Sequence, residues 1–200
     1  MADVKNKDVK KKDIKKDTRR DSRNRKEVSP ADEYAESVLK VRRVAKVIKG
    51  GRRFAFSALV VVGDRKGSIG VALGKSRDVS SAISKALKKA RKNMFSVPLY
   101  KTTVPFTILG KHGASSVLIR SASKGTGVIA GGAVRSVMEA LGVKDVLAKS
   151  IGSANPQNVV KATINALLKL KSAKQLAALR GKTVEQIVST QMTRENNVAA

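Results

Sequence analysis

The stretch VIKGGRRFAFSALVVVGDRKGSIGVAL, residues 47–73, contains two apolar runs separated by a short polar turn. Apolar side chains alternate with a period of two over residues 54–62, which is typical of a strand buried on at least one face. The turn at residues 64–67 ends in glycine, and the alternation resumes over residues 69–73. The stretch therefore predicts an antiparallel hairpin, and a valine-rich run upstream predicts a further strand that leads into it.

A basic helix is predicted directly after this hairpin. Asp78 or Ser80 is suited to cap its start, and apolar residues then recur at helical spacing over residues 79–94. The opposite face of the helix carries cations, namely Lys85, Lys88, Lys89, Arg91 and Lys92. Residues 34–95 therefore predict three antiparallel strands followed by one basic amphipathic helix.

Two prolines, Pro98 and Pro105, mark a join, because proline suits neither a strand interior nor a helix interior. Beyond the join, the apolar pattern predicts strands at residues 104–109, 116–120 and 145–151, with a turn at 110–113. Three helical segments are predicted: residues 134–141 with a stop at Gly142, a helix that starts at Asn155-Pro156, and residues 172–188 with a break at Gly181. The second half therefore mixes strands and helices as the first does.

The fold class predicted from this order is α+β, in two small domains. The domain limits are placed at residues 31–97 and 98–188. Residues 1–30 are rich in charge and nearly free of apolar side chains, a composition typical of a disordered basic arm. Residues 189–200 are expected to form a tail.

The charge of the chain predicts an anionic partner. The formal net charge is +27, from 42 Lys and Arg against 15 Asp and Glu. Such an excess destabilises a folded protein through self-repulsion, so nucleic acid, a membrane surface or an acidic protein is expected to neutralise it. No segment approaches the roughly 20 apolar residues that span a bilayer, which argues against a membrane partner.

Among nucleic acids, folded RNA fits the composition best. Aromatic residues make up only 3% of the chain and there is no tryptophan, whereas single-strand binding uses exposed rings as stacking platforms. Contact with phosphates and with the shape of double-helical RNA needs cations rather than rings. The composition therefore favours an interface built from lysine and arginine.

Few residues of the chain are suited to catalysis. The chain has no cysteine and a single histidine, His112, without clustered carboxylates beside it. Neither a nucleophile–base pair nor a metal-ligand set can be assembled from these residues. We therefore expect no catalytic residues and no metal, and the lack of cysteine suits a reducing, cytoplasmic compartment.

The loop SKGTGVIAGG, residues 123–132, raises one enzymatic alternative. Its Gly125-x-Gly127-x-x-Ala130 spacing formally matches the dinucleotide fingerprint, and Asp145 follows Gly125 by 20 residues. However, the fingerprint requires a tight strand-to-helix turn and an acid at the end of a strand, whereas here a loop intervenes and Asp145 begins its strand. The glycines are better suited to close approach of RNA phosphate or a partner protein, and no cofactor is expected.

The loop before residue 54 is the strongest candidate for RNA contact. Two glycines allow the backbone to approach a ligand closely, and two arginines supply forked donors that match phosphate oxygens. Neighbouring cations extend the set along the incoming strand and onto the helix. The predicted RNA-binding residues are Arg42, Arg43, Lys46, Lys49, Gly50, Gly51, Arg52, Arg53, Lys88, Lys89, Arg91 and Lys92.

Two long segments together resemble the bacterial small-subunit ribosomal protein S5 family. Residues 47–94 are similar to its N-terminal half, with Gly-Arg before Phe, then Gly-Asp-x-x-Gly, Gly-Lys and a basic helix. Residues 125–167, GTGVIAGGAVRSVMEALGVKDVLAKSIGSANPQNVVKATINAL, are similar to its C-terminal half. The resemblance implies a first domain like the double-stranded-RNA-binding domain and a second β-α-β domain with a left-handed connection.

The resemblance also implies a role and partners. Members bind 16S ribosomal RNA, lie beside ribosomal proteins S4 and S8 near the messenger RNA entry path, and contribute to subunit assembly and decoding accuracy. They are not expected to form homo-oligomers. The loop of Lys49, Gly50, Gly51 and Arg52 would reach an RNA helix at the subunit neck. The residues that would face S4 are Gly125, Thr126, Gly127 and Arg135.

The sequence is compatible with three functions. The resemblance favours a structural ribosomal protein. Composition alone equally allows a free RNA-binding module such as an RNA chaperone. The glycine loop is the one feature that suggests a nucleotide-dependent enzyme.

Overall fold

The computed structural model describes residues 34–187, and the structural statements that follow concern that range. The predicted basic arm at residues 1–30 and the predicted tail at residues 189–200 lie outside the described residues. The two predicted domain limits stay predictions.

The first sheet has four antiparallel strands in the order β1-β2-β3-β4. The strands are β1 (Ala35–Ile48), β2 (Gly51–Gly63), β3 (Ser68–Ser76) and β4 (Phe95–Ser96). Helix α1 (Val79–Lys92) follows β3 and is capped by the Asp78 carboxylate, which accepts a hydrogen bond from the Ser81 N–H at 3.1 Å. The three strands and the basic helix are as predicted. Strand β4 was not predicted, because two residues are too few to show a period.

The second sheet has the order β5-β6-β8-β7. Its strands are β5 (Ile108–His112), β6 (Ser115–Ser121), β7 (Val128–Ile129) and β8 (Val146–Gly152). Strand β7 runs parallel to β8, and helix α2 (Gly132–Leu141) connects them. Helices α3 (Pro156–Leu168) and α4 (Ala173–Arg180) complete the second half. The α+β class is confirmed, with an antiparallel sheet and helix followed by a β-α-β region.

The predicted turn at residues 110–113 is wrong. Residues 110–112 belong to β5, which begins at Ile108 instead of residue 104, and the chain turns at residues 113–114. Gly110 is a glycine for a packing reason, since a Cβ there would lie 2.2 Å from the backbone oxygen of Ala162 in α3. At the start of α3, Pro156 is the first helical residue as predicted, but the Asn155 side chain makes no capping hydrogen bond.

The central part of the first sheet, around residues 58–62 of β2, is covered on both faces. On one face, Ala58, Val60 and Val62 of β2 pack against the alanines of α1. On the other face, Leu59 and Val61 join a buried cluster that includes side chains of α2, β6 and α3. Because neither face meets water, β2 is apolar at every position over residues 58–62, a pattern otherwise typical of buried parallel strands.

The β2–β3 turn joins the two halves by capping the end of α2. The last carbonyl groups of a helix have no partner within it. Here the backbone N–H of Arg65 donates to the Ala140 oxygen, and that of Gly67 donates to the Leu141 oxygen, both at 3.1 Å. The approach is close enough that a Cβ on Gly63 would lie 2.0 Å from the Ala140 oxygen. The turn therefore docks backbone to backbone, without intervening side chains.

The Asp64 carboxylate holds this turn in shape. It accepts hydrogen bonds from the backbone N–H groups of Lys66 at 2.7 Å and Ser68 at 2.8 Å. Partial burial of the carboxyl acts to raise its pKa, but the hydrogen bonds from Ser68 and Lys66 outweigh it and leave the pKa below its ordinary value. The turn is thus shaped by its own side chain and fastened by its N–H groups.

Replacing Gly63 with alanine is predicted to destabilise the protein. The new methyl group would meet the Ala140 carbonyl at 2.0 Å, and only a shift of β2 away from α2 could relieve the overlap. Overpacking of this kind costs about 1–3 kcal/mol of unfolding free energy, measurable by urea denaturation. Gly50→Ala is the matched control, because its Cβ has nothing within 4 Å. Equal stability of the two variants would contradict the docking described here.

Candidate nucleic-acid interface

Strands β1 and β2 project beyond the rest of the first sheet. Strand β3 pairs with β2 only over Phe56–Gly63, whereas β1 stays paired with β2 as far as Ile48 and Gly51. The register from Val44 to Ile48 therefore forms a two-stranded ribbon of five residue pairs, about 17 Å long at about 3.4 Å per residue. The side chains of residues 40–54 are exposed. The predicted loop is thus the tip of a projecting ribbon.

The register of the ribbon separates its cations onto two faces. Lys46 lies opposite Arg53, and Arg42 lies opposite Ser57, so these side chains share one face with Lys40. We call this the cationic face, defined by Lys40, Arg42, Lys46 and Arg53. Arg52 and Arg53 are adjacent in sequence but point to opposite faces, which the sequence alone did not reveal.

The opposite face of the ribbon combines arginine with apolar side chains. Val47 lies opposite Arg52, and Arg43 lies opposite Phe56. The Arg43 guanidinium stacks over the Phe54 ring, 4.6 Å from its centroid, which is a cation–π contact. Stacking of this kind holds the guanidinium while leaving its edge free to donate to a phosphate.

None of the described carboxylates forms an ion pair with the ribbon. Within residues 34–187 the one ion pair joins Arg91 to Glu36, both away from the ribbon. Lys46 and Arg53 even lie directly opposite each other, an arrangement of like charges that destabilises an isolated pair of strands. At the tip, Gly51 has a φ of 127° and a Cβ on Gly50 would meet nothing within 4 Å. The backbone there is bare and open to a ligand.

Helix α1 adds a stripe of lysines. Lys85, Lys88, Lys89 and Lys92 recur at helical spacing and are exposed. Arg91 differs from them, because its guanidinium is paired with Glu36 and lies 5.9 Å from the centroid of the Tyr34 ring. Arg91 therefore ties α1 to the start of the sheet, and its predicted contact with RNA stays a prediction.

The glycine loop before α2 is closed by a carboxylate of the same chain. Asp145, which is buried, accepts hydrogen bonds from the backbone N–H groups of Gly125 at 2.9 Å and Gly127 at 3.1 Å. The hydrogen bond from Gly127 and a second from the Thr102 side chain hold the pKa of Asp145 below its ordinary value. A pyrophosphate bound at this loop would need the same two backbone N–H groups as hydrogen-bond donors. The spacing that mimics a dinucleotide fingerprint thus reflects an internal contact.

This role of Asp145 is not among the expectations from the sequence. The signal that could have revealed it is the position of Asp145 directly before β8. An acid there can reach the glycine loop that leads into the neighbouring strand β7.

The outer side of the glycine loop is open. Thr126 is exposed, and a Cβ on Gly125 or Gly127 would meet nothing within 4 Å. Arg135 of α2 is also exposed and donates to the Val128 oxygen at 3.1 Å, which places its guanidinium beside the loop. The four residues predicted to face a protein partner therefore lie together on one surface.

The described residues offer no alternative chemistry at these surfaces. Within residues 34–187, no group of three or more His, Asp or Glu side chains could hold a metal ion. His112 is half-buried in β5. None of the helices in this part of the chain is long and apolar enough to cross a membrane.

Exposed cations without acidic partners within residues 34–187, mounted on a shared core, are the features expected of an RNA-binding structural protein. Two family models match the chain: "Ribosomal protein S5, N-terminal domain" over residues 34–98 and "Ribosomal protein S5, C-terminal domain" over residues 110–180. The chain belongs to the ribosomal protein S5 family.

Curated relatives agree with this assignment. "Small ribosomal subunit protein uS5" of Lawsonia intracellularis is 57% identical over 152 residues, which cover 76% of this chain and 93% of the relative. The protein of the same name from Nitrosococcus oceani is 56% identical over 157 residues, covering 78% and 92%. That from Legionella pneumophila is 52% identical over 163 residues, covering 82% and 97%.

Membership of this family decides among the structural ribosomal protein, the free RNA-binding module and the nucleotide-dependent enzyme. The protein is a structural constituent of the small ribosomal subunit, which is cytoplasmic in bacteria, and it works in translation. Binding of ribosomal RNA is general to the family. The protein is not an enzyme, so the nucleotide-dependent alternative is wrong.

The Asp145 contact predicts a pH-dependent stability. A carboxyl whose pKa is lowered on folding contributes stability above its unfolded pKa, and that contribution is lost as the pH falls through the folded value. The unfolding free energy of wild type should therefore exceed that of Asp145→Asn at pH 5–7, and the difference should shrink below about pH 4. Glu139→Gln, at an exposed position on α2, is the control. A difference independent of pH in urea denaturation would contradict the role given to the carboxylate.

Proposed function

We propose that the protein binds 16S ribosomal RNA through the β1–β2 ribbon and the lysine stripe of α1. The observation that carries this proposal is the ribbon itself, which projects beyond β3 with exposed cations that no described carboxylate neutralises. A protein that needs such a ribbon only for its own fold would shorten it or balance its charge, because unpaired like charges destabilise the strands.

The proposed mechanism is scaffolding. Lysine and arginine side chains neutralise phosphates where RNA helices meet, and release of condensed counterions drives much of the affinity. The shared core then fixes the distance between the RNA contacts on the ribbon and those on α1. Few aromatic residues are needed, because the protein recognises the shape of folded RNA more than single bases.

Within this interface, the tip residues Lys49, Gly50, Gly51 and Arg52 are proposed to contact an RNA helix directly. Their bare backbone and exposed cations support this role. The remaining contacts are proposed for two groups of side chains. Strands β1 and β2 supply Arg42, Arg43, Lys46 and Arg53, and α1 supplies Lys88, Lys89, Arg91 and Lys92. Of these, Arg91 would have to exchange its pairing with Glu36 for a phosphate.

The second proposed surface is a protein interface. Gly125, Thr126, Gly127 and Arg135 would face ribosomal protein S4, with S8 as a further neighbour and the messenger RNA entry path nearby. The internal contact of Asp145 supports this assignment, since it gives the exposed loop a fixed shape before any partner arrives. Through such a contact the protein would contribute to subunit assembly and bias the subunit between conformations that differ in decoding accuracy.

Arg52→Ala tests the ribbon. Loss of one phosphate contact should weaken binding to a 16S ribosomal RNA transcript and make the dependence of log K on log salt shallower by about one unit. The matched control is Arg180→Ala, which removes the same charge from an exposed position on α4. A salt slope equal to that of wild type would mean that Arg52 faces only solvent.

Arg135→Gln tests the protein interface. Loss of a charged hydrogen bond should weaken association with purified S4 by roughly tenfold, and small subunits that carry the variant should show an altered frequency of misreading. Glu139→Gln, one turn further along α2 and also exposed, is the control. Unchanged S4 binding together with unchanged accuracy would refute the assignment.

A further inference from the structure

A cavity opens where the ribbon leaves the shared core. Its volume is about 200 Å³, and β1, β2 and β3 line one side while residues 155–157 line the other. Water occupies about 30 Å³ per molecule in the liquid, so the cavity has room for several waters or for one phosphate group. The cavity lies on the cationic face, since Lys40 and Arg42 are among its lining residues.

A row of donors crosses the sheet at this cavity. Arg42 of β1 pairs with Ser57 of β2, and Ser57 pairs in turn with Lys75 of β3. The three side chains therefore point to the same face, with a hydroxyl between two cations. The backbones of Arg42 and Lys75 lie about 10 Å apart, because neighbouring strands are spaced by about 4.8 Å. Lys40 lies two residues before Arg42 on β1 and adds a third cation to the same face.

This concentration of charge has no compensation in the described part of the chain. The lining of the cavity includes Lys40, Arg42 and Lys75 but no aspartate or glutamate. The one described ion pair, Arg91 with Glu36, involves none of them. The facing wall is polar and neutral, with the amide side chains of residues 155 and 157. Three cations around a cavity without an acid repel one another, and an anion between them relieves that repulsion.

We propose that this cavity holds a backbone phosphate of ribosomal RNA, with Lys40, Arg42 and Lys75 as its cationic ligands and Ser57 as a neutral donor. The inference rests on the proposed RNA-binding function and adds to it a second anchoring point, at the base of the ribbon instead of its tip. Lys40, Ser57 and Lys75 are not among the residues that the sequence suggested.

Continuity with the rest of the cationic face favours RNA over a small anion. Lys46 and Arg53 lie on the same face, four residues beyond Arg42, which is about 14 Å along the strand. A single free phosphate could occupy the cavity but could not also neutralise this pair. A polyanion can neutralise the cations of the cavity and the Lys46–Arg53 pair at once. One RNA backbone that follows the cationic face would place phosphates beside both groups.

The test compares the full-length variant Lys40→Gln/Lys75→Gln with wild type on a 16S ribosomal RNA transcript. The slope of log K against log salt should become shallower by about one unit. That slope depends on the number of phosphates neutralised, and the double variant loses one phosphate contact although it lacks two cations. Phosphorothioate footprinting should lose protection at one backbone position. Ser57→Ala should reduce affinity several-fold without changing the slope, an effect that diffuse electrostatics would not produce.

Lys111→Gln/Lys149→Gln is the control, because it removes two exposed lysines from strands of the other sheet. It should keep the wild-type footprint. If Lys40→Gln/Lys75→Gln keeps both the footprint and the salt slope of wild type, the proposal is overturned. The ribbon itself is judged separately by Arg52→Ala. An effect of Arg52→Ala with none of Lys40→Gln/Lys75→Gln refutes only the phosphate site in the cavity, whereas no effect of either variant refutes the proposed function as well.

Two further measurements identify other occupants. Saturable binding of inorganic phosphate by wild type, lost in Lys40→Gln/Lys75→Gln while the RNA footprint is unchanged, would assign the cavity to a free anion and overturn the proposal. Normal RNA binding combined with loss of a ribosomal protein from reconstituted subunits would assign it to an acidic protein and overturn it equally. Thermal unfolding of each variant shows whether its effect arises from a folding defect.

Discussion

The backbone hydrogen bonds from the β2–β3 turn to the end of α2 fasten the two halves of the described chain to each other. They satisfy carbonyl groups that a helix leaves unpaired, and they join the sheet that carries the ribbon to the helix that follows the glycine loop. The orientation of the ribbon is therefore tied to the position of the proposed protein interface. Two surfaces that would serve different partners share one rigid connection.

Close backbone packing also explains how a chain of net charge +27 forms a stable core. Gly70 and Gly74 of β3 let α1 approach so closely that a Cβ on either would lie 2.2 Å from a helix carbonyl oxygen. The helix meets the sheet through Ala82, Ala86 and Ala90, with Ile83 and Leu87 packed beside them, so its lysines remain on the outer face. Burial of small residues stabilises the fold while the lysines stay exposed, and an anionic partner would relieve the repulsion among them.

Much of the fold was predictable because its signals are local. Alternation along β2 and β3, the cap at Asp78 and the stop at Gly142 each depend on a few neighbouring residues. Strands β4 and β7 have only two residues each and show no period. The packing role of Gly110 is equally invisible in the sequence, because its close contact is with a distant helix. Contacts between residues far apart in sequence produce no periodic pattern along the chain.

For this protein, the class of partner and the candidate contact loop could be read from charge excess, paired glycines and adjacent arginines, because these are properties of composition and short motifs. The placement of those groups required the folded structure. Strand register directed Arg52 and Arg53 to opposite faces, the ion pair with Glu36 ties Arg91 to β1, and the Asp145 carboxylate closes the glycine loop. Each outcome depends on which strand or loop lies beside which, and that is determined by packing of the whole chain.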